Sequence, residues 1–354
     1  MRKFDTHMHY HCGTDVVRST YGFKRTFALT ETERACLLSI PTYENGDILQ
    51  NLKGLYYKDN LGDKVYAYAG LYYENYNDKS DQKAFSENFY NQVKAYMENG
   101  FDGVKFLEGK PSERKKIKVM LSSEVFDKTF SYLEEQGVPV NIHNSDPITF
   151  WDESAMPEYQ RKQGWFVGKD FPSKDELFYD IIAIVKKHPK LKLTLAHLGF
   201  TSDNIEHAKE FLSFENTMLD FCPGGEQFVN MSNNATVWKQ FIIDNITRFK
   251  FGTDCPNLPF DEQYGDEFVV SKYATVTKFF ETSDTYTNRQ GEVTGINLDK
   301  DLIDKIYYQN AFSELGEPKK INYEWLKKEI AFVEKHDLSD SQKYDLQKIK
   351  EHFA

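Results

Sequence analysis

The first residues with a chemical pattern are His7 and His9, in the run Asp5-Thr-His7-Met-His9. In an extended segment, residues two apart share a face. Both imidazoles then project together and can bind one metal ion through neutral nitrogens. The motif is short, and two histidines of an ordinary terminal strand fit it as well. Three further apolar runs close in the same manner: Pro139-Val-Asn-Ile at His143, Leu193-Thr-Leu-Ala at His197, and Phe251-Gly-Thr at Asp254. Four of the nine histidines and one carboxylate therefore end hydrophobic runs. Each alone could be a buried, hydrogen-bonded side chain. Converging on one mouth, they describe a metal site with an acid–base group.

The elements that must position them recur along the chain. Short runs rich in β-formers lie at Lys3–His9, Ala35–Ile40, Val65–Tyr72, Gly103–Leu107, Val138–His143, Leu191–His197, Thr217–Phe221 and Phe249–Thr253. Several are apolar almost throughout, as strands buried on both faces require. Amphipathic stretches separate most of them, and Ser173 with Glu176 has the spacing of a capping box. Eight strands alternating with helices predict an α/β fold, a (β/α)8 TIM barrel with loop insertions and a C-terminal helical extension. An open doubly wound sheet is the runner-up, but no Gly-x-Gly-x-x-Gly follows the first strand. The barrel is expected over residues 1–315. Residues 144–172 form a lid-like insertion over its mouth, Pro256–Glu292 is a second insertion, and residues 316–354 pack outside as helices.

Composition narrows the function. The 354 residues are 40% hydrophobic and 28% charged, with a net charge of −11. An acidic surface disfavours nucleic acid and anionic membrane as partners. No apolar run approaches the roughly 20 residues of a membrane span. The N-terminus lacks the apolar region of a signal peptide, and the four cysteines are sparse, so reduced thiols and a cytoplasmic location are expected. A small-molecule substrate is the expected partner, and a homodimer is compatible with this reading.

The ordered set Asp5-Thr-His7-Met-His9, Ile142-His143, Ala196-His197-Leu-Gly199 and Gly252-Thr-Asp254 resembles the amidohydrolase superfamily, in its branch of TIM-barrel metal-dependent hydrolases. Gly103-Val-Lys105-Phe, Asp146-Pro-Ile-Thr-Phe150, Pro189-Lys-Leu-Lys-Leu and Asn310-Ala-Phe add to the likeness, which spans residues 1 to about 315. The resemblance implies one divalent metal ion, Zn2+ before Mn2+ or Fe2+, held by His7, His9, His143 and Asp254. It implies that Asp254 also carries the proton and that His197 acts on substrate or water. It leaves Lys105 as the bridge of a second metal, an anchor for a substrate anion, or an ion-pair member in the lumen. Asp5, one layer deeper, either fixes an imidazole tautomer or pairs with Lys105.

The reaction expected first is hydrolysis of an amide, ester or lactone of a small molecule. Non-oxidative decarboxylation of an aromatic or unsaturated acid on the same residues is the alternative, and an inactive binding barrel ranks lower. Tyr10, Tyr72, Phe150, Trp151 and Arg161 are candidates for the pocket wall. Arg18, Arg25 and Arg161 are candidates for holding a carboxylate. Cys12, Cys222 and Cys255 follow strand ends and are read as small apolar fillers.

Overall fold

The structure, a computed structural model, describes residues 1–10, 15–43, 46–73, 81–156, 158–168, 171–256, 262–288 and 290–354. Every residue of the first strand, β1 (Lys3–His9), is buried. That is what a strand packed against helices on one side and a filled lumen on the other demands. Parallel neighbours follow in order: β2 (Thr32–Leu38), β3 (Val65–Ala69), β4 (Gly103–Phe106), β5 (Val140–Ile142), β6 (Leu193–Leu195) and β7 (Thr217–Asp220). The last, β8, comes in two segments, Phe249–Lys250 and Cys255–Pro256. Its first segment pairs with β7 and its second with β1. Between them the Thr6 N–H reaches the Phe251 carbonyl (3.0 Å), and the Asp254 N–H reaches that of His7 (2.9 Å). The sheet thereby closes on itself, and the expected barrel is present.

The helix Val16–Thr30 follows β1. Its buried positions are Val16, Ser19, Thr20, Phe23, Thr26, Phe27 and Thr30, a complete helical stripe. Four of those seven are Ser or Thr, so hydropathy conceals the period. The Asp15 side chain caps the start by accepting from the Val17 and Arg18 N–H groups. Arg18 and Arg25 are therefore helical. Arg25 pairs with Asp266 and Arg18 with Asp15, so neither is a loop arginine awaiting a carboxylate. The stretch after β8 likewise contains the helix Glu262–Glu281 and the hairpin Thr285–Asn288/Gly291–Thr294. The capping box of Ser173 and Glu176 forms as its spacing predicts. Among the described residues, no helix is long and apolar enough to cross a membrane.

Two helices, Tyr323–Val333 and Asp340–Phe353, end the chain. Asp345 ties them to the barrel by accepting the Val16 N–H (3.0 Å) and pairing with Lys53 (2.8 Å). Away from the mouth, Lys58 and Asp102 form a buried ion pair (2.7 Å). The same carboxylate takes the Ala67 and Lys319 N–H groups, so it joins β3, β4 and the start of the tail. Removing one partner strands a charge, so Lys58→Met should cost about 3–5 kcal/mol. Urea unfolding checks this, and an unchanged midpoint would show that the pair adds nothing to stability.

Candidate metal centre

Strand parity sends His7 and His9 into the mouth together. Each ring is fixed by its Nδ1. That of His7 lies 2.9 Å from Asp220 Oδ2, and that of His9 lies 2.9 Å from the Leu38 carbonyl. Both partners accept, so both Nδ1 atoms carry the proton and both Nε2 atoms present lone pairs. The two Nε2 atoms face one another at 3.2 Å. An Asp254 carboxylate oxygen stands 3.6 Å from His9 Nε2. Donor atoms of His7, His9 and Asp254 all fall within 4.8 Å of one another. Three acceptors converging in this way repel one another unless a cation lies between them. Lys105 Nζ lies 3.5 Å from His7 Nε2, a long contact beside its 2.6 Å bond to Asn141 Oδ1.

The other expected residues surround this group. His143 is buried, its ring packs 4.7 Å from that of His197, and its Nε2 has no hydrogen-bond partner among the described residues. It stands 3.6 Å from Asp146 Oδ1, beside rather than within the closest three-donor group. The His197 ring lies 5.1 Å from that of His7, and its Nδ1 faces the Cys222 carbonyl at 3.3 Å. Residues 197–200 all have positive φ, and so does Asp254 (53°). Outside glycine such backbone costs about 1–3 kcal/mol per residue and is typically kept where a side chain must be aimed. Close approach is also built in. A Cβ on Gly109 would lie 2.4 Å from the His143 carbonyl, and one on Gly224 would lie 2.6 Å from His197 Cβ.

Asp5 corrects the sequence reading. It is inside the barrel, but it neither touches an imidazole nor pairs with Lys105. Its carboxylate accepts from the Thr253 hydroxyl (2.6 Å), the Tyr273 hydroxyl (2.7 Å) and the His7 and Thr253 N–H groups. The tautomer-fixing role belongs to Asp220, which the sequence reading missed. Fully buried, Asp220 takes the proton of His7 Nδ1, the His197 N–H (2.8 Å) and the Cys222 N–H (3.2 Å). Its signal was available: Thr217-Met-Leu is another apolar run that ends in a carboxylate.

Burial sets the charge states. It pushes His7 and His143 well below the ordinary histidine range, and His197 down as well. Burial also lowers Lys105 to about 8 and raises Asp5 to about 7. Burial alone would raise Asp254, but the fields of Lys272, His9, His197 and His7 outweigh it and hold the carboxylate below its usual range.

The proposed aromatic wall is largely displaced. The Tyr10 hydroxyl bonds Ser39 and the Gln50 carbonyl, and its ring packs on Tyr57 in the core, outside the lumen. Tyr72 is partly buried and turns toward His336 of the tail, whereas Tyr73 donates to the buried Glu108 (2.8 Å). Phe150 and Trp151 pack with Met156, Val167 and Phe166 in the insertion's own small core. Arg161 is exposed and donates to the Met156 carbonyl. The insertion sits against the loops after β4 and β7, through Lys115 Nζ on the Val167 carbonyl (2.9 Å) and Pro147 on Gly225. A cavity of about 410 Å³ lies beside it, lined by Trp165, Phe228, Lys272 and Tyr286 among others. Cys12 lies outside the described residues. Cys222 and Cys255 are both buried.

Residues 84–312 match the amidohydrolase family profile, and the chain belongs to that family. No curated protein matches it in sequence. Among solved structures it is similar to a protein described as amidohydrolase II, at 13% identity and a TM-score of 0.53, covering 88% of this chain and 99% of that one. It is also similar to 4-oxalomesaconate hydratase from Rhodopseudomonas palustris, at 13% identity and a TM-score of 0.50, covering 94% and 99%. At that identity the likeness extends to the fold.

Proposed function

We propose that this protein is a metal-dependent enzyme acting on a small anionic molecule, with one divalent ion held by His7, His9 and Asp254 and His143 as the fourth ligand. The observation that carries this is the convergence of ligand atoms of His7, His9 and Asp254 within 4.8 Å of one another. The unpartnered Nε2 of His143 fits the same donor set. A bound divalent ion would polarise a substrate oxygen and acidify water. Mixed imidazole and carboxylate ligands suit Zn2+, and also Mn2+ or Fe2+.

The chain's own residues supply the rest. Asp254, anionic at neutral pH, accepts a proton and passes it to the leaving group. His197, neutral through burial, turns its Nε2 to the substrate. Lys105, 3.5 Å from His7 Nε2, and Lys272, whose field acts on Asp254, bring positive charge to the group. On this reading the reaction is hydrolysis of an amide, ester or lactone. Those lysines favour decarboxylation as the second reading, because a carboxylate that departs as CO2 must first be held. A screen that scores both acid release and CO2 release, before and after chelation, separates the two. Activity that survives complete removal of divalent ions would defeat both.

Two expectations follow from the ligand environment. Asp220→Asn keeps the shape but leaves His7 Nδ1 without its anionic acceptor. Outer partners of this kind typically weigh 10–100-fold in metal affinity, so the dissociation constant should rise by about that factor. Equilibrium dialysis with Mn2+ measures it, and unaltered affinity would remove Asp220 from the site. The second concerns pH. Exposed histidines protonate near 6.5 and shed metal below that value. Burial lowers the values for His7 and His143. Affinity should therefore stay flat as pH falls from about 7.5 to about 6, through the range where an ordinary imidazole site weakens. A tenfold loss over that interval would contradict the assigned charge states.

A further inference from the structure

Cys222 follows β7 and is fully buried. Its thiol has no hydrogen-bond partner among the described residues, yet it does not simply fill core. Donor atoms of His7, His197 and Cys222 lie within 4.8 Å of one another. One carboxylate organises all three, because Asp220 takes the His7 Nδ1 proton, the His197 N–H and the Cys222 N–H. Gly252 lets them close up. The position its Cβ would occupy is 3.0 Å from His7 Cβ and 3.3 Å from Cys222 Cβ. Nitrogen and sulfur ligands stand about 2.0–2.3 Å from a zinc-like ion, so donors spread over this distance can close on one cation by small side-chain rotations.

We propose that His7, His197 and Cys222 form a second cation position, bearing a thiolate, that takes soft divalent ions such as Cd2+. It shares His7 with the His9–Asp254 position. The His9–Asp254 side offers nitrogen and carboxylate oxygen, which accept Mn2+. The Cys222 side offers nitrogen and sulfur, which select softer ions. His7 has one nitrogen free of Asp220, so it serves one ion at a time and the two positions exclude each other. Binding exchanges the thiol proton for a metal–sulfur bond. The proton goes to buffer and no electron moves.

Cd2+ added to chelator-treated full-length protein tests this, with sulfur-to-cadmium charge-transfer absorption in the near ultraviolet as the readout. The absorption should grow to saturation at one Cd2+ per chain. Mn2+ loaded beforehand should be released one for one, as followed by its paramagnetic resonance signal. Cys222→Ser should lose the absorption and bind Cd2+ at least about tenfold more weakly, as loss of a soft ligand requires. Cys222→Ala, which needs no buried hydroxyl partner, should behave alike, with circular dichroism confirming that both variants fold. Absorption absent from the wild type, absorption retained in both folded variants, or Cd2+ and Mn2+ bound together at one each would overturn the inference. Only the competition arm rests on the His7–His9–Asp254 reading. If Mn2+ fails to bind any form while the Cys222-dependent absorption appears, that reading fails and the thiolate position stands.

Discussion

Asp254→Asn should lower turnover by about two to four orders of magnitude, the usual weight of a general acid–base group. The substitution keeps size and one oxygen while removing the charge and the proton acceptor. His7, His9 and His143 remain, so the ion should be held more weakly but still load when supplied in excess. Steady-state rates at saturating metal, on the substrate that the hydrolysis and CO2 screen identifies, check this. Near-normal turnover in the metal-loaded variant would remove Asp254 from proton transfer and leave it a ligand only.

His9→Ala should behave differently. Its Nδ1 bonds the Leu38 backbone carbonyl, whereas His7→Ala would take one hydrogen-bond donor from the buried Asp220 carboxylate. Metal content and activity should fall together. The loss of affinity should exceed the roughly 10–100-fold expected for an outer partner, and excess metal should restore part of both. A variant that keeps full metal content but loses activity would move His9 from the ion to the substrate.

The barrel was legible because its strands are buried on both faces and therefore read as apolar runs with chemistry at their ends. The same rule placed His7, His9, His143, His197 and Asp254 at one mouth, and the fold brings all five there. What failed did so for physical reasons. The helix Val16–Thr30 carries its buried stripe largely on small hydroxyl side chains, which hydropathy counts as polar. Tyr10 follows His9, so the parity that turns His9 inward turns Tyr10 outward, and that exclusion could have been drawn from the sequence. Asp5 was placed on the correct face, but its partners Thr253 and Tyr273 lie about 250 residues away, and no local spacing reveals such a pairing. Asp220 was legible by the logic that selected Asp254, but it sits one layer below the mouth, where a carboxylate reads as structural until the ring it holds is seen.

Metal content is the most direct test of the central claim. Protein purified without chelator should contain one divalent ion per chain by elemental analysis. The His7→Ala/His9→Ala double variant, folded by circular dichroism, should contain almost none. A wild-type content near zero after incubation with Zn2+, Mn2+ and Fe2+ in turn, or a double variant that retains the full complement, would contradict the assignment of these residues as a metal centre.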